Sequence, residues 1–171
     1  FTVYRHREND TTSIGRGAVM AMLEDKEGKL WVGTNITLSV YNRSLNNFIN
    51  YDFTKIGWIR SLCTDHNGNI WVGTYSGLFY FNTKTHKINA YKVDPTDDKT
   101  LNSEMILCVF EDSRSNVWVG TKAGLHLFNP KDGSFKRFLH NKENPNSISD
   151  NTVRSIVEDK YGNLWIGTSD G

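Results

Sequence analysis

Glutamine is missing from this chain, and alanine occurs only four times in 171 residues. Two good helix formers are therefore scarce, while Val, Ile, Thr, Tyr, Phe and Trp together number 58. A third of the chain in β-branched and aromatic residues favours pleated, half-buried strands over helices. Long apolar runs are missing too. The longest, Ala18 to Leu23 and Met105 to Phe110, have six residues, far short of the ~20 that a membrane-spanning helix needs. Cysteine is limited to Cys63 and Cys108, which excludes a disulfide framework as the main staple. Charge of one sign is also lacking: 20 Lys and Arg against 19 Asp and Glu leave +1. No global field is aimed at nucleic acid or at an anionic membrane surface. Phe1 opens the chain with neither an initiator Met nor a leader, and Gly171 ends it inside a recurring motif. The expectation is a piece of a longer chain.

What the sequence does have is a repeat. Trp31-Val32-Gly33-Thr34, Trp71-Val72-Gly73-Thr74, Trp118-Val119-Gly120-Thr121 and Trp165-Ile166-Gly167-Thr168 recur at intervals of 40, 47 and 47 residues. Six residues before each Trp stands an aspartate: Asp25, Asp65, Asp112 and Asp159. Gly77-Leu78 and Gly124-Leu125 follow the second and third copies, with Thr37-Leu38 as the variant in the first. Aromatic–Asn pairs come next at Tyr41-Asn42, Phe81-Asn82 and Phe128-Asn129. Each copy reads as four short strands. An apolar stretch precedes an Asp-x-x-Gly turn, in which Asp can accept from nearby backbone N–H groups and Gly supplies positive φ. The Trp-centred strand, the Gly-Leu strand and a fourth strand (Phe48 to Tyr51, Ile88 to Tyr91, Phe135 to Phe138) follow.

Four antiparallel strands every 40 to 47 residues predict an all-β fold, a β-propeller fragment of four-stranded blades. The expected spans are 17–51, 56–91 and 104–138 for whole blades and 151–171 for the first two strands of another. Residues 1–4 read as the outer strand of a preceding blade. That makes 15 strands, about 3.75 blades. The large apolar residues at i and i+3 of each fourth strand suggest a bulge or a twisted edge there. The four repeat tryptophans are expected to pack between neighbouring blades. Fewer than four blades leave two raw edges, so self-association, two fragments completing one ring, is expected.

The pattern Asn-Ser-Ile, a short strand, Glu-Asp, Gly-Asn-Leu-Trp-Ile-Gly-Thr, then Gly-Leu and an aromatic–Asn pair resembles the two-component regulator propeller repeat. The copy running from Asn146 matches it most fully; the copy at 54–82 lacks the Asn-Ser-Ile lead-in and is seven residues shorter. The resemblance implies the extracytoplasmic sensor half of a hybrid two-component system of Bacteroidetes, whose tandem propellers precede a membrane helix and a histidine kinase. It further implies a periplasmic segment that responds to an oligosaccharide and does not itself enter the membrane. None of the five histidines (His6, His66, His86, His126, His140) lies in a phosphoacceptor helix, so kinase activity is expected elsewhere and this chain is read as a non-enzyme.

No metal or cofactor is expected. Asp65-His66-Asn67-Gly68-Asn69 could suggest a calcium loop, but its sister copies place Lys, Arg or Tyr where calcium wants oxygen. Glu24, Glu111 and Glu158 each precede a turn Asp. They recur at one place in successive blades and so offer no unlike acid/base pair; they read as solvated turn residues. Cys63 and Cys108 read as buried free thiols.

Residues that break the repeat are the candidate ligand site. Trp58 is the lone Trp outside the motif, where the other copies have Ala18, Met105 and Thr152. Arg60 and Arg154 stand where Met20 and Leu107 stand elsewhere. Tyr75 and Lys122 sit in the turns after the Trp-centred strands. These turns and the connections between blades emerge on one face of a propeller. An aromatic platform with Arg and Lys suits an acidic or sulfated saccharide, through ring stacking and charge-assisted bonds. Two other classes remain open: a polysaccharide lyase or glycosidase, since propellers host both, and an interaction scaffold without a small ligand.

Overall fold

The computed structural model describes all residues from Phe1 to Gly171 and contains fourteen strands and no helix. The first blade comprises β1 (Ala21–Glu24), β2 (Leu30–Gly33), β3 (Thr37–Asn42) and β4 (Asn47–Asp52). The second comprises β5 (Ile59–Thr64), β6 (Ile70–Thr74), β7 (Gly77–Phe81) and β8 (Ile88–Tyr91). The third comprises β9 (Ile106–Glu111), β10 (Val117–Thr121), β11 (Gly124–Asn129) and β12 (Ser134–Phe138). A last pair, β13 (Val153–Glu158) and β14 (Leu164–Thr168), begins a fourth. Every sheet is an antiparallel meander in chain order. The first strands β1, β5, β9 and β13 pack one against the next, forming the inner arc, while the fourth strands lie outermost.

The core lies in the seams between blades. One cluster joins Trp31, Leu38 and Val40 of the first blade to Ile59, Ile70, Val72 and Phe81 of the second. The next joins Trp71 and Leu78 to Ile106, Val109, Val117 and Val119 of the third. Phe53 in the short connection and Leu101 in a longer one are fully buried in these two seams. The second sheet is thus apolar on both faces, as a blade stacked between two neighbours requires.

Three expectations are corrected. Phe1 to Tyr4 forms no strand. Apolar spacing alone does not make a strand without a ladder partner. Tyr4 instead meets Tyr41 and Phe48 edge-on, at 5.4 Å between ring centroids in each case. Of the bulge and the twisted edge expected in the fourth strands, the bulge is absent: the β3–β4, β7–β8 and β11–β12 registers are continuous. Their i and i+3 residues simply serve opposite faces. Phe48 packs on Tyr41 of its own blade, whereas Tyr51 stacks on Trp31 and meets Phe81 of the next blade. The bulges lie on the inner strands, between Ile59 and Ser61, between Ile106 and Cys108, and between Val153 and Ser155.

The third correction concerns the tryptophans. Trp31 and Trp71 are 3% exposed in their seams. Trp118 is half-buried, because the third strand that covers its counterparts (Phe81 over Trp31, Phe128 over Trp71) has no equivalent in the two-stranded last sheet. Trp165 is 65% exposed, with no following blade against it in this chain.

The Asp and Trp of three of the four copies prove to be bonded partners. Trp31, Trp118 and Trp165 donate their indole N–H to Asp25, Asp112 and Asp159 at 2.8, 2.9 and 3.0 Å. The other carboxylate oxygen accepts two backbone N–H groups of the turn, as from Glu27 and Lys29 to Asp25. Donation by Trp165 and then by Asn163 lowers the Asp159 pKa to about 2. Burial alone would raise Asp112, but donation by Trp118 and Asn116 outweighs it and holds that carboxyl below its ordinary value. The second blade departs. Tyr80 stands where Val40 and Leu127 face the Trp of the other copies. Its hydroxyl donates to Asp65 at 2.6 Å, leaving the Trp71 indole N–H buried without a partner.

Candidate functional site

The inner strands bring the repeat-breaking residues to one end of the blades. At that end, in three of the four copies, the backbone N–H of the turn after the Trp-centred strand donates to the residue that enters the inner strand. Tyr75 donates to the Trp58 carbonyl, Lys122 to Met105 and Ser169 to Thr152. The alignment inferred from the repeat, Trp58 with Met105 and Thr152, is therefore a spatial one. Trp58 is 53% exposed and Tyr75 37%, and their rings lie 6.4 Å apart at 36°. Two large rings left facing solvent and tilted toward each other form a shallow aromatic notch.

Arg60 and Arg154 occupy the bulges of β5 and β13, each the extra residue between paired neighbours. A bulge re-aims the side chain it carries, and both arginines are exposed. Arg154 donates from Nε to the Ser169 hydroxyl at 2.7 Å, which orients its guanidinium across the turn. Arg60 and Lys122 make no side-chain ion pair or hydrogen bond within the chain. The structure thus joins Trp58 to Tyr75 and anchors Arg154, while Arg60 and Lys122 share the end of the blades as free cations. The bulges were not legible beforehand, although the Arg at one repeat position in two copies was their only trace.

At the opposite end the acidic residues do something else. Glu111 accepts from the backbone N–H of His66 at 3.1 Å and lies 3.2 Å from its Nδ1. Glu158 accepts from the Ser113 N–H at 2.7 Å and from its hydroxyl at 2.6 Å. In both cases the carboxylate of one blade grips the turn of the blade before it. These are latches between blades, and the reading of Glu111 and Glu158 as solvated residues is corrected: the Glu111 side chain is 9% exposed. Glu24 pairs instead with Arg43 of its own blade at 3.2 Å. Thr64 takes this position in the second blade, so the first seam has no latch. Glu111→Ala is expected to cost about 1 kcal/mol, because the His66 N–H and ring lose their charged partner across the seam. Thr64→Ala, with no latch to remove, should lie within about 0.5 kcal/mol of the parent in urea unfolding. Equal losses in the two variants would refute the latch.

No three acidic, His or Cys side chains converge as a metal centre. The Asp65 oxygens are taken up by the Asn67 and Asn69 N–H groups and by Tyr80. Burial pushes the thiols of Cys63 and Cys108 up to about 11 and about 12, and both are free. His126 is fully buried and burial lowers its pKa to about 4, so its imidazole is neutral at physiological pH. No helix of the molecule is long and apolar enough to cross a membrane.

The two component regulator propeller pattern matches residues 13–35, 55–76, 100–123 and 147–170, more than half of the chain. Among solved structures, the extracellular domain of a putative hybrid two-component system of B. thetaiotaomicron superposes with a TM-score of 0.77 at 20% identity, over 94% of this chain and 21% of that one. A second such domain of the same organism gives 0.67 at 20% identity, over 99% and 28%. Virginiamycin B lyase of Staphylococcus aureus gives 0.68 at 15% identity, over 90% and 50%. At these identities the likeness is one of fold, and the chain spans about a fifth to a half of each neighbour's length. No curated protein matches the chain in sequence.

Proposed function

Because the chain belongs to the two component regulator propeller family, we propose that it is part of the extracytoplasmic ligand-recognition region of a hybrid two-component sensor. In this reading it sits in the periplasm, and an oligosaccharide bearing carboxylate or sulfate groups is its ligand. The signal passes to a histidine kinase outside this chain. The extracellular domains that share the fold support the setting. The observation that carries the ligand class is the exposed Trp58–Tyr75 notch at the same end of the blades as the bulge arginines Arg60 and Arg154. A pyranose face stacks on such rings, and a guanidinium pairs in two-point fashion with carboxylate or sulfate. Lys122 adds a third cation. Binding transmits a signal only by favouring one arrangement of propellers over another.

Titration of the chain with sulfated and uronic-acid oligosaccharides, against neutral ones of equal length, tests this reading. Trp58→Ala and Arg154→Ala are each expected to weaken acidic-glycan binding at least tenfold. Undiminished affinity in both variants, or equal affinity for neutral glycans, would overturn it. The lyase neighbour raises an enzymatic reading on fold alone. The recurring carboxylates Glu111 and Glu158 do not supply its acid/base pair, being tied up in the latches.

A further inference from the structure

The outermost strands of the three whole blades are finished differently. In the first blade, the segment that leads into it folds back along β4. The Phe48 N–H donates to the Thr12 carbonyl at 2.8 Å, and the Asn50 amide donates to the carbonyls of Thr11 and Ser13 at 2.9 and 2.8 Å. In the third blade the same cover lies along β12. The Phe135 N–H donates to the Lys99 carbonyl at 2.6 Å, and Arg137 donates to the carbonyls of Thr100 and Asp97, both at 2.8 Å. A Ser or Thr hydroxyl staples each lead-in into a closed loop: Ser13 to the Arg7 N–H, Thr100 to the Asp94 N–H, Ser147 to the Asn141 N–H.

The second blade has no such cover. Its lead-in is the short stretch 53–58, lacking the residues that would reach the outer edge. β8 pairs with β7 on one side, and Ile88 to Tyr91 make no backbone hydrogen bond on the other. By register Ile88 corresponds to Phe48 and Phe135, and Ala90 to Asn50 and Arg137. Strand alternation therefore turns the N–H and C=O groups of Ile88 and Ala90 outward. Ala90 has lost the side chain that would hold a lead-in, as the lead-in itself is lost. Lys84 to Ala90 are all exposed. The stretch 82–93 carries Lys84, His86, Lys87 and Lys92 and no acidic residue, and none of these lysines has an ion-pair partner.

We propose that β8 is a docking edge that accepts an extended acidic peptide segment of a partner by strand addition. The outward groups of Ile88 and Ala90 supply the ladder, and Lys87 and Lys92 flank it with charge. The covers of the sister blades are likewise acidic, held there as closed loops. Residues 8–13 read Glu-Asn-Asp-Thr-Thr-Ser, and residues 94–100 read Asp-Pro-Thr-Asp-Asp-Lys-Thr. A second copy of the chain is the wrong occupant. Antiparallel β8–β8 pairing through Ile88 and Ala90 would bring two strands of the same positive sign together, with no carboxylate facing Lys87 or Lys92, and like charges across a ladder oppose it.

The test uses an acetylated Thr-Asp octapeptide of alternating sequence, with its Thr-Asn and Thr-Lys counterparts, and amide exchange of the 171-residue chain read by NMR. The acidic peptide is expected to slow exchange at Ile88 and Ala90 selectively, with at least tenfold higher affinity than the neutral one and a clear loss at high salt. Ala90→Pro removes only an outward N–H, which an edge strand tolerates, and should abolish the protection. The double variant Lys87→Glu with Lys92→Glu leaves the backbone intact and should reverse the preference from acidic to basic peptide. The proposal is overturned if no peptide slows these amides or if Ala90→Pro binds like the parent. It is also overturned if the charge reversal changes nothing, or if exchange slows with protein concentration alone, which would mark a second copy.

Discussion

Trp31→Ala is expected to lower the stability of the chain by about 3–5 kcal/mol, a fall in melting temperature of roughly 10 °C or more for a chain of this size. The indole is 3% exposed in the first seam. It stacks on Tyr51 at 6.1 Å and meets Phe81 of the next blade edge-on at 5.9 Å. Truncation opens a cavity that neither sheet can close without losing its own ladder, and it also removes the indole donor from Asp25. The seam lacks the Glu latch that supports the next two, so packing carries more of its cohesion. The internal control is Trp165→Ala. That ring has the same repeat position and the same bond to its aspartate, yet it is 65% exposed. Its loss should stay near 1 kcal/mol or below. Denaturant unfolding of both variants decides the matter, and equal losses would mean that blade packing is not what the tryptophan provides.

The second large effect belongs to the glycine that follows two residues after each tryptophan. Gly120→Ala is expected to cost about 3 kcal/mol. An added Cβ would lie 2.7 Å from Val153 Cγ1 and 2.9 Å from the Val153 carbonyl oxygen, and would run into the Cys108 sulfur as well. Gly33 and Gly73 meet the next blade in the same way, through Ile59 Cγ2 at 2.5 Å and Ile106 Cγ2 at 2.7 Å. Their obstacles are side-chain tips, which can move; the Val153 carbonyl is backbone, which cannot without shifting β13. Gly120→Ala should therefore cost more than Gly73→Ala. Adding Cys108→Ala should recover only the part of the loss due to the sulfur. Full recovery in the double variant would mean that blade spacing does not set the requirement for glycine.

Local chemistry was legible in the residues alone. The repeat of Asp, Gly and Trp announces turn, turn and blade seam. The turn needs positive φ where Gly28, Gly68 and Gly162 have 76°, 78° and 82°, and the four-strand meander follows from spacing within one copy. The inner arginines, the aromatic pair and the turn cations were visible as departures from the repeat, because a repeat makes every exception conspicuous. What the sequence by itself determined is therefore the turns and the strand order of one blade, where the deciding residues are close in the chain.

Tertiary structure decided what depends on strand pairing and on the neighbouring blade. Glu111 and Glu158 look like solvated turn residues until the preceding turn is set against them 45 positions away in the chain. Arg60 and Arg154 become bulge residues only when the paired strand fixes the register. Phe1 to Tyr4 has the apolar pattern of a fourth strand but no ladder partner to make it one. The seven residues missing from the second copy look like a neutral shortening. In three dimensions they are the cover of an outer strand, and their loss leaves β8 bare. The physical reason is common to all four. A hydrogen-bond ladder and a packed seam are properties of pairs of segments, and the pairing partner is not written in the segment itself.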